Sequence, residues 1–429
     1  MILWFLELPL PLRLALVAVV AAVMAAAVNW AVYALAYHSE FDSPWSRKPR
    51  HDVVFGRSDR VPLYGWWRLR RFSAKLGRRY WLQPLVVELV CVVGAPCWYW
   101  WETVRGGLWI PYLPPETIAA EPALRAVLHM QFLVHLTLAM FMLAASLIDA
   151  DEHNIPDAVT VPGTFVGLTL LTCFPLGLMP HYFDPRGPHF RWLHASEPGE
   201  LPQWFVLADF MGLFAGLACF GFWIFGLIFG GRMDGLRWTP EKYRRSLRVF
   251  FGRVRVDPNL PWIIGCGVVG AALISMVWHF EQPRWASLLT ALVGLASGAA
   301  IVWIVRVLGS WAFQKEAMGF GDVTLMAMMG AYLGWQPTNI IFFAAPIAAL
   351  VICLPSYLFG TRDMLPYGPY LCTAAMAVMV GWGEVWHLTA AWFLFPWLIP
   401  GVLVVGFLAL GIVLALVRKV RSLSGRETG

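Results

Sequence analysis

Residues 126–157 read AVLHMQFLVHLTLAMFMLAASLIDADEHNIPD, an apolar run that ends in a cluster of acidic residues. The run 126–148 is long enough to cross a bilayer as one helix, since about 20 apolar residues suffice. Asp149 follows it directly, and Pro156 then interrupts the helix before Asp157 starts the next one. An ionisable side chain at membrane depth is costly, which makes Asp149 a candidate functional residue.

A second aspartate stands in the sequence Gly319-Phe320-Gly321-Asp322, in front of another apolar segment. Glycine lets the backbone approach neighbouring atoms closely and adopt conformations that are closed to other residues. We expect Asp322 in the first turn or at the N-cap of the following helix, where a carboxylate is electrostatically favoured. Helix-capping aspartates are common, so each aspartate alone is also consistent with a simple boundary residue.

The composition indicates a membrane protein. Of the 429 residues, 59% are hydrophobic and 14% are charged, whereas about a quarter are charged in soluble domains. We therefore predict an all-α, polytopic bundle of about 9–11 transmembrane helices, since lipid forbids open sheet edges and we find neither strand-like alternation nor an internal repeat. The apolar segments fall at about 12–36, 83–101, 126–148, 158–178, 204–230, 261–279, 286–309, 339–360 and 389–416, with shorter ones at 323–336 and 367–383.

Basic residues predict the orientation of the chain. The first basic loop, residues 38–82, holds eleven Lys and Arg residues, and the second basic loop, residues 231–260, holds eight. The loops at 102–125 and 179–203 hold two each. The positive-inside rule then places both basic loops in the cytoplasm, together with the ends of the helices that carry the two aspartates.

Charge and cysteine usage exclude several classes of partner and site. The net charge of +6 follows from the two basic loops and the basic carboxyl-terminal tail, so we expect contact with the lipid bilayer and no nucleic-acid partner. The seven cysteines all lie in apolar segments without CxxC spacing. We therefore expect neither a metal site nor a disulfide framework.

Two carboxylates on one membrane face are suited to peptide hydrolysis. One carboxylate takes a proton from a water molecule while the other, protonated, polarises the scissile carbonyl. Close carboxylates do not both ionise readily, so such a pair shares a proton and titrates as one unit. Asp149 and Asp322 together therefore favour an intramembrane aspartyl protease.

Both aspartate blocks, and several shorter blocks in the same order, resemble the type IV prepilin leader peptidases, integral-membrane aspartyl proteases with a GxGD motif. Ser146–Pro162 is similar to SLIDxDxxxIPDxLTLP, and Gly319–Trp335 is similar to GxGDxKLLAxLGAWLGW. Weaker similarities to that family begin at Asn29, Ser43, Arg60, Arg79 and Pro366.

The resemblance implies that Asp149 and Asp322 are catalytic, with supporting roles for Gly319, Gly321, Asp151 and Asp157. It implies an aspartic endopeptidase of the bacterial inner membrane. The substrate would be the apolar helix of a type IV prepilin or pseudopilin, cleaved after its basic leader at the cytoplasmic face. Proteolysis of this kind needs no cofactor.

Three departures from the family pattern affect these expectations. Many members hold zinc with CxxC pairs in the first basic loop, but this loop has no cysteine, so we expect it to fold by packing Trp66, Trp67, Tyr80 and Trp81 instead. N-methylation from S-adenosylmethionine is associated with that region in the family, and its retention here is left open. The second departure is Thr324, which stands where the family has a lysine two residues after the GxGD aspartate. The third is an insert of unassigned role at about 175–260.

We divide the chain into amino-terminal helices at 1–125, including the first basic loop, and a peptidase core at 126–429.

Two further hypotheses about the function remain. A proton- or cation-coupled transporter would use the aspartates as ligands, with Asp209 as a candidate deeper in the membrane. A non-catalytic assembly or scaffold protein of the same fold would tolerate the altered loop and Thr324.

Overall fold

The structure is a computed structural model that describes most of the chain. The described residues are 2–36, 43–45, 53–109, 115–184, 189–197, 210–233, 243–280, 282–313, 318–358, 366–395 and 398–423. Asp209 lies outside them.

Helices form almost all of the described structure, which confirms the predicted all-α fold. In chain order they are α1 (Ile2–Glu7), α2 (Leu10–Leu35), α3 (Tyr64–Leu69), α4 (Ser73–Leu76), α5 (Arg79–Tyr99), α6 (Pro115–Ala120), α7 (Pro122–Glu152), α8 (Asp157–Cys173), α9 (Phe210–Phe229), α10 (Tyr243–Val256), α11 (Leu260–Phe280), α12 (Gln282–Phe313), α13 (Phe320–Leu333), α14 (Trp335–Leu358), α15 (Tyr367–Val380), α16 (Trp382–Phe393) and α17 (Leu398–Leu423). A π-helical turn, Trp100–Val104, extends α5.

Within the described ranges, seven helices are long and apolar enough to cross a membrane. They are α2, α5 with its π-helical turn, α7, α9, α11, α12 and α14. Three shorter apolar stretches lie in α8, α13 and α17, and α15 with α16 forms a pair bent by 95°. The polytopic bundle predicted from composition is thereby confirmed.

The segment 389–416, predicted as one span, is instead divided between two helices. α16 ends at Phe393 and α17 begins at Leu398. Pro396 follows α16 in the sequence, and proline disfavours helical backbone at the residue before it. Hydrophobicity alone could not reveal this break, because the residues on both sides of it are apolar.

A small β-hairpin is the second difference from the predicted all-helical chain. Strands β1 (Pro180–Asp184) and β2 (His189–Trp192) pair in the loop between α8 and α9. This loop is outside the apolar segments, where water can satisfy the free sheet edges that lipid cannot.

The chain forms two compact units made of interleaved segments. The first unit contains residues 1–163, 182–190 and 344–385, and the second contains 164–181, 191–343 and 386–429. The predicted division at residue 125 concerns function and stays a prediction.

In the first unit, α7 packs against α2 and α15. The Cys372 thiol on α15 donates to the Met142 carbonyl at 3.4 Å. At the last residue of α15, the Trp101 indole N–H donates to the Val380 carbonyl at 2.9 Å. These bonds hold α15 in its second turn and at its carboxyl end, which matters because its first turn contacts Asp149.

In the second unit, α12 and α13 lie in direct backbone contact. A Cβ atom on Gly294 would stand 2.2 Å from the Gly330 carbonyl oxygen, and one on Gly298 would stand 2.3 Å from that of Met326. Small residues spaced by four allow such close approach between membrane helices. α13 is buried on all sides as a result, with every residue from Gly321 to Leu333 enclosed.

The described part of the first basic loop folds around aromatic side chains, as predicted. Trp66 and Tyr80 are buried together with Tyr33 and Leu69, and Trp81 packs against this cluster. Trp67 differs from the prediction, because it is 48% exposed and makes a T-shaped contact with Trp81 at 6.2 Å between ring centres.

Two buried carboxylates secure the same loop. Glu88 on α5 accepts hydrogen bonds from the Asn29 amide at 3.0 Å, the Trp66 indole at 2.8 Å and the Leu63 backbone N–H. Asp59 forms ion pairs with Arg68 and Arg71. A tetrahedral zinc site usually needs cysteine or histidine ligands, and the described loop offers none, so its donor set does not fit zinc.

Candidate active site

Asp149 lies in the last turn of α7 and is 4% exposed. Its carboxylate oxygen Oδ2 accepts a hydrogen bond from the backbone N–H of Gly368 at 3.0 Å. His153, in the left-handed conformation (φ 53°), closes α7 by donating its N–H to the Asp149 carbonyl at 2.9 Å. Asp149 is thus fixed both by its own helix end and by a second helix.

The second helix, α15, supplies an N–H group that has no acceptor within its own helix. Gly368 is in the first turn of α15, where backbone N–H groups have no acceptor within the helix. A Cβ at this position would lie 2.4 Å from Asp149 Oδ2 and 2.9 Å from Ile155 Cδ1. Only glycine therefore allows this contact, and Gly368 is a site residue that sequence reasoning missed although the block around it was noticed.

The two other acidic residues of the block lie near Asp149 in the chain but differ in environment. Asp151 forms an ion pair with Arg79, at the start of α5. The side chain of Arg79 is 69% exposed and that of Asp151 is 12% exposed, so the pair joins the first basic loop to the end of α7. Asp157 is exposed at the first position of α8.

Asp322 lies in the first turn of α13, as predicted, and is 8% exposed. Gly319 is the N-cap residue, with an ordinary extended backbone (φ −67°, ψ 155°). A Cβ on Gly319 would stand 3.8 Å from Asp322 Oδ2, so neither space nor backbone conformation explains glycine there. Thr324 donates its hydroxyl to the Gly321 carbonyl at 3.1 Å.

A buried cation supports the segment that precedes Asp322. Arg306 on α12 is 5% exposed. Its Nε donates to the Met318 carbonyl at 2.9 Å, and its Nη1 donates to the Gly230 carbonyl at 3.4 Å. Its guanidinium carbon also stands 5.6 Å from the centre of the Phe320 ring, a cation–π distance.

Sequence reasoning did not single out Arg306. The available signal was a lone arginine within the apolar segment 286–309, which is rare inside membrane helices and is usually paired or functional. Thr324 stands where the resembled family has lysine, and Arg306 supplies a positive charge close to the same segment.

Asp149 belongs to the first compact unit and Asp322 to the second. Both carboxylates are buried, and their predicted pairing stays a prediction. Among the residues that the structure describes, no group of three or more His, Cys, Asp or Glu side chains could hold a metal ion.

Residues 258–354 match the model of the type IV leader peptidase family, a segment that includes Asp322 and ends before Gly368. No solved structure matches the chain.

Curated relatives carry the name prepilin leader peptidase/N-methyltransferase. The protein from Aeromonas hydrophila is 32% identical over 113 residues, that from Stutzerimonas stutzeri 35% over 114, and that from Pseudomonas aeruginosa 36% over 105. These alignments cover 24%, 26% and 23% of this chain and 37%, 38% and 35% of the relatives. The chain therefore spans little more than a third of the length of these relatives. The resemblance to the type IV prepilin leader peptidases is confirmed over residues 258–354, which include the Asp322 block.

Proposed function

We propose that this protein is a membrane aspartyl endopeptidase that removes the basic leader of a type IV prepilin or pseudopilin. The observation that carries the proposal is the placement of two buried aspartates at the ends of apolar helices, Asp149 in the last turn of α7 and Asp322 in the first turn of α13. The family match over 258–354 supports the same activity.

In the proposed reaction, the two carboxylates hold one proton between them and a water molecule beside them. The ionised carboxylate takes a proton from the water, whose oxygen attacks the scissile carbonyl carbon. The protonated carboxylate donates to the carbonyl oxygen as it gains negative charge. The tetrahedral intermediate then collapses: the C–N bond breaks, the first carboxylate returns its proton to the leaving amine nitrogen, and the second carboxylate regains its proton as the carbonyl re-forms. The Gly368 N–H orients the Asp149 carboxylate for this role, and Arg306 orients the backbone that leads to Asp322.

The site would face the cytoplasm of a bacterial inner membrane. The excess of lysine and arginine in the two basic loops supports this orientation. The apolar helix of the substrate would approach from the bilayer, and its basic leader would remain at the cytoplasmic surface. Retention of the N-methyl transfer that appears in the relatives' names stays open, because the first basic loop lacks the family's cysteines.

Co-expression of the protein with a prepilin tests the proposal. We expect the wild type to shorten the prepilin and the variants Asp149→Asn and Asp322→Asn to lose activity by roughly a thousandfold or more, with little further loss in the double variant, because the two groups act as one unit. Glu152→Gln, which changes an exposed carboxylate one turn beyond Asp149, is the matched control and should retain processing.

Two outcomes would overturn the proposal. Near wild-type processing by a correctly inserted Asp322→Asn protein would exclude the aspartyl mechanism. Absence of processing by the wild type with several prepilins, combined with retention of pilus assembly or of ion flux, would favour the scaffold or the transporter hypothesis respectively.

A further inference from the structure

The second unit contains an apolar cavity beside the Asp322 segment. Its volume is about 460 Å³, within the range of small-molecule sites. Aromatic side chains from four elements form much of its wall, among them Phe222 and Phe229 of α9, Phe250 and Phe251 of α10, Trp303 of α12 and Phe320 of α13. The hydroxyl of Thr324, which also lines it, is bonded to the Gly321 carbonyl, so the wall suits a hydrocarbon ligand.

The helix α10 differs from the other helices that line the cavity because it is strongly amphipathic and basic. Its sequence is YRRSLRVFFGRVRV. Phe250 is buried and stacks on Phe229 with ring centres 5.5 Å apart. A helix with an aromatic face and several arginines is typical of the membrane interface, where the apolar face enters the acyl region and the basic residues meet anionic headgroups.

Two arginines stand next to the cavity wall on this helix. Residues three and four apart are neighbours on a helix surface, so Arg248 and Arg255 flank Phe251, which lines the cavity. Both arginines are exposed. Arg253, on the other edge of the helix, instead donates to the Arg232 carbonyl at 3.2 Å, which ties α10 to the end of α9.

We propose that this cavity binds one acyl chain of an anionic phospholipid, whose phosphate is held by Arg248 and Arg255. The hydrocarbon wall and the adjoining guanidinium groups match the two parts of such a molecule, and basic pockets between membrane helices bind headgroups of this kind. Neither the site nor its test depends on the proteolytic activity proposed above. The proposal also assigns a role to part of the insert at about 175–260, since α9 and α10 supply most of the residues that line the cavity.

The test uses the full chain purified in a neutral detergent, with native mass spectrometry to count bound lipids. Phosphatidylglycerol and phosphatidylcholine with identical acyl chains are the probes. We expect the wild type to retain one phosphatidylglycerol roughly tenfold more tightly than phosphatidylcholine, as two arginines near a headgroup predict. Equal retention of the two lipids would overturn the proposal.

Charge variants separate the headgroup contact from general basicity. Arg248→Gln with Arg255→Gln should abolish the preference for phosphatidylglycerol. Arg57→Gln with Arg78→Gln removes the same charge from exposed positions in the first basic loop and should leave the preference unchanged. If the two double variants behave alike, the proposed phosphate contact is wrong.

A cavity-filling variant tests the acyl site. A Cβ on Gly226, which lines the cavity, would meet nothing within 4 Å, so Gly226→Leu should fill the space and reduce retention of both lipids. Gly221→Leu is the matched control, because Gly221 is on the same helix, also has open space and lies outside the cavity wall. If Gly226→Leu retains lipid normally but prevents cross-linking to the apolar helix of a prepilin, the occupant is the substrate and the lipid proposal fails.

Discussion

The backbone N–H of Gly368 and the carboxylate of Asp149 form a hydrogen bond of 3.0 Å that joins the start of α15 to the end of α7. The two residues are more than two hundred positions apart in the chain, and the bond orients the Asp149 side chain from a second helix.

Gly368→Ala should disturb the candidate site. The added methyl group would lie 2.4 Å from Asp149 Oδ2, so either the carboxylate or α15 must move, at a cost of about 1–3 kcal/mol. We expect prepilin processing to fall at least about tenfold, since a small misplacement of a catalytic group is enough for such a loss. Gly94→Ala, at a position on α5 with open space, should process normally; equal activity of both variants would contradict the positioning role.

Glu88→Ala should loosen the first basic loop. The change leaves the Trp66 indole N–H and the Leu63 backbone N–H without their acceptor, and an unsatisfied buried donor costs about 1–3 kcal/mol. We expect faster proteolysis of the loop and a lower melting temperature. The control is Glu121→Ala, which removes an exposed glutamate before α7. Protection of the loop equal to that of the wild type would show that the aromatic cluster suffices.

Arg306→Met should reduce turnover more than substrate binding. It removes the donors to the Met318 and Gly230 carbonyls and so frees the backbone that leads to Asp322. We expect kcat for prepilin cleavage to fall while KM changes little, with partial recovery in Arg306→Lys, which keeps the charge but not the two-donor geometry. Val307→Met, at an exposed neighbouring position, serves as control. A change in KM alone would assign Arg306 to substrate binding.

Mild acid should weaken the contact between β1 and α16. The Trp386 indole N–H is shared between His181 Nδ1 at 3.0 Å and the His181 carbonyl at 3.1 Å, and the bond to Nδ1 requires that nitrogen to be unprotonated. Burial, followed by the charge of Arg191, lowers the pKa of His181, while Glu197 faces its other ring nitrogen at 3.8 Å. Because the folded pKa is below the unfolded value of about 6.5, this contribution to stability is full above that value and declines as the pH falls below it.

Hydrogen exchange measures this effect directly. The amides of residues 181–184 should exchange faster at pH 5.5 than at pH 7.5 after correction for the intrinsic rate. His181→Asn, which lacks a group that titrates in this range, should remove the difference. If the pH dependence persists in His181→Asn, another group is responsible.

Prediction from sequence succeeded where local pattern determines structure. The apolar run up to residue 148 indicated that Asp149 ends a helix, and the glycines before Asp322 indicated that it starts one. The aromatic residues Trp66 and Tyr80 also packed as expected. In each case the signal and the structure involve residues that are near one another in the chain.

The features that sequence did not predict depend on distant contacts. The requirement for glycine at 368 arises because Asp149 and Ile155 lie against it. In the sequence Arg306 is an isolated charge, and only the structure shows that it donates to the carbonyls of Met318 and Gly230. The break between α16 and α17 escaped detection because both helices are apolar, so hydropathy could not separate them.

The contact between α12 and α13 has a mechanical consequence. Where Gly294 meets Gly330, no side chain separates the two backbones, and such close-packed surfaces transmit displacement instead of absorbing it. The two helices should therefore shift together as one rigid block. Any movement that brings Asp322 toward a peptide bond must then carry α12 and its Arg306 with it, so the ease of that movement is governed by how freely the whole block slides in the bilayer.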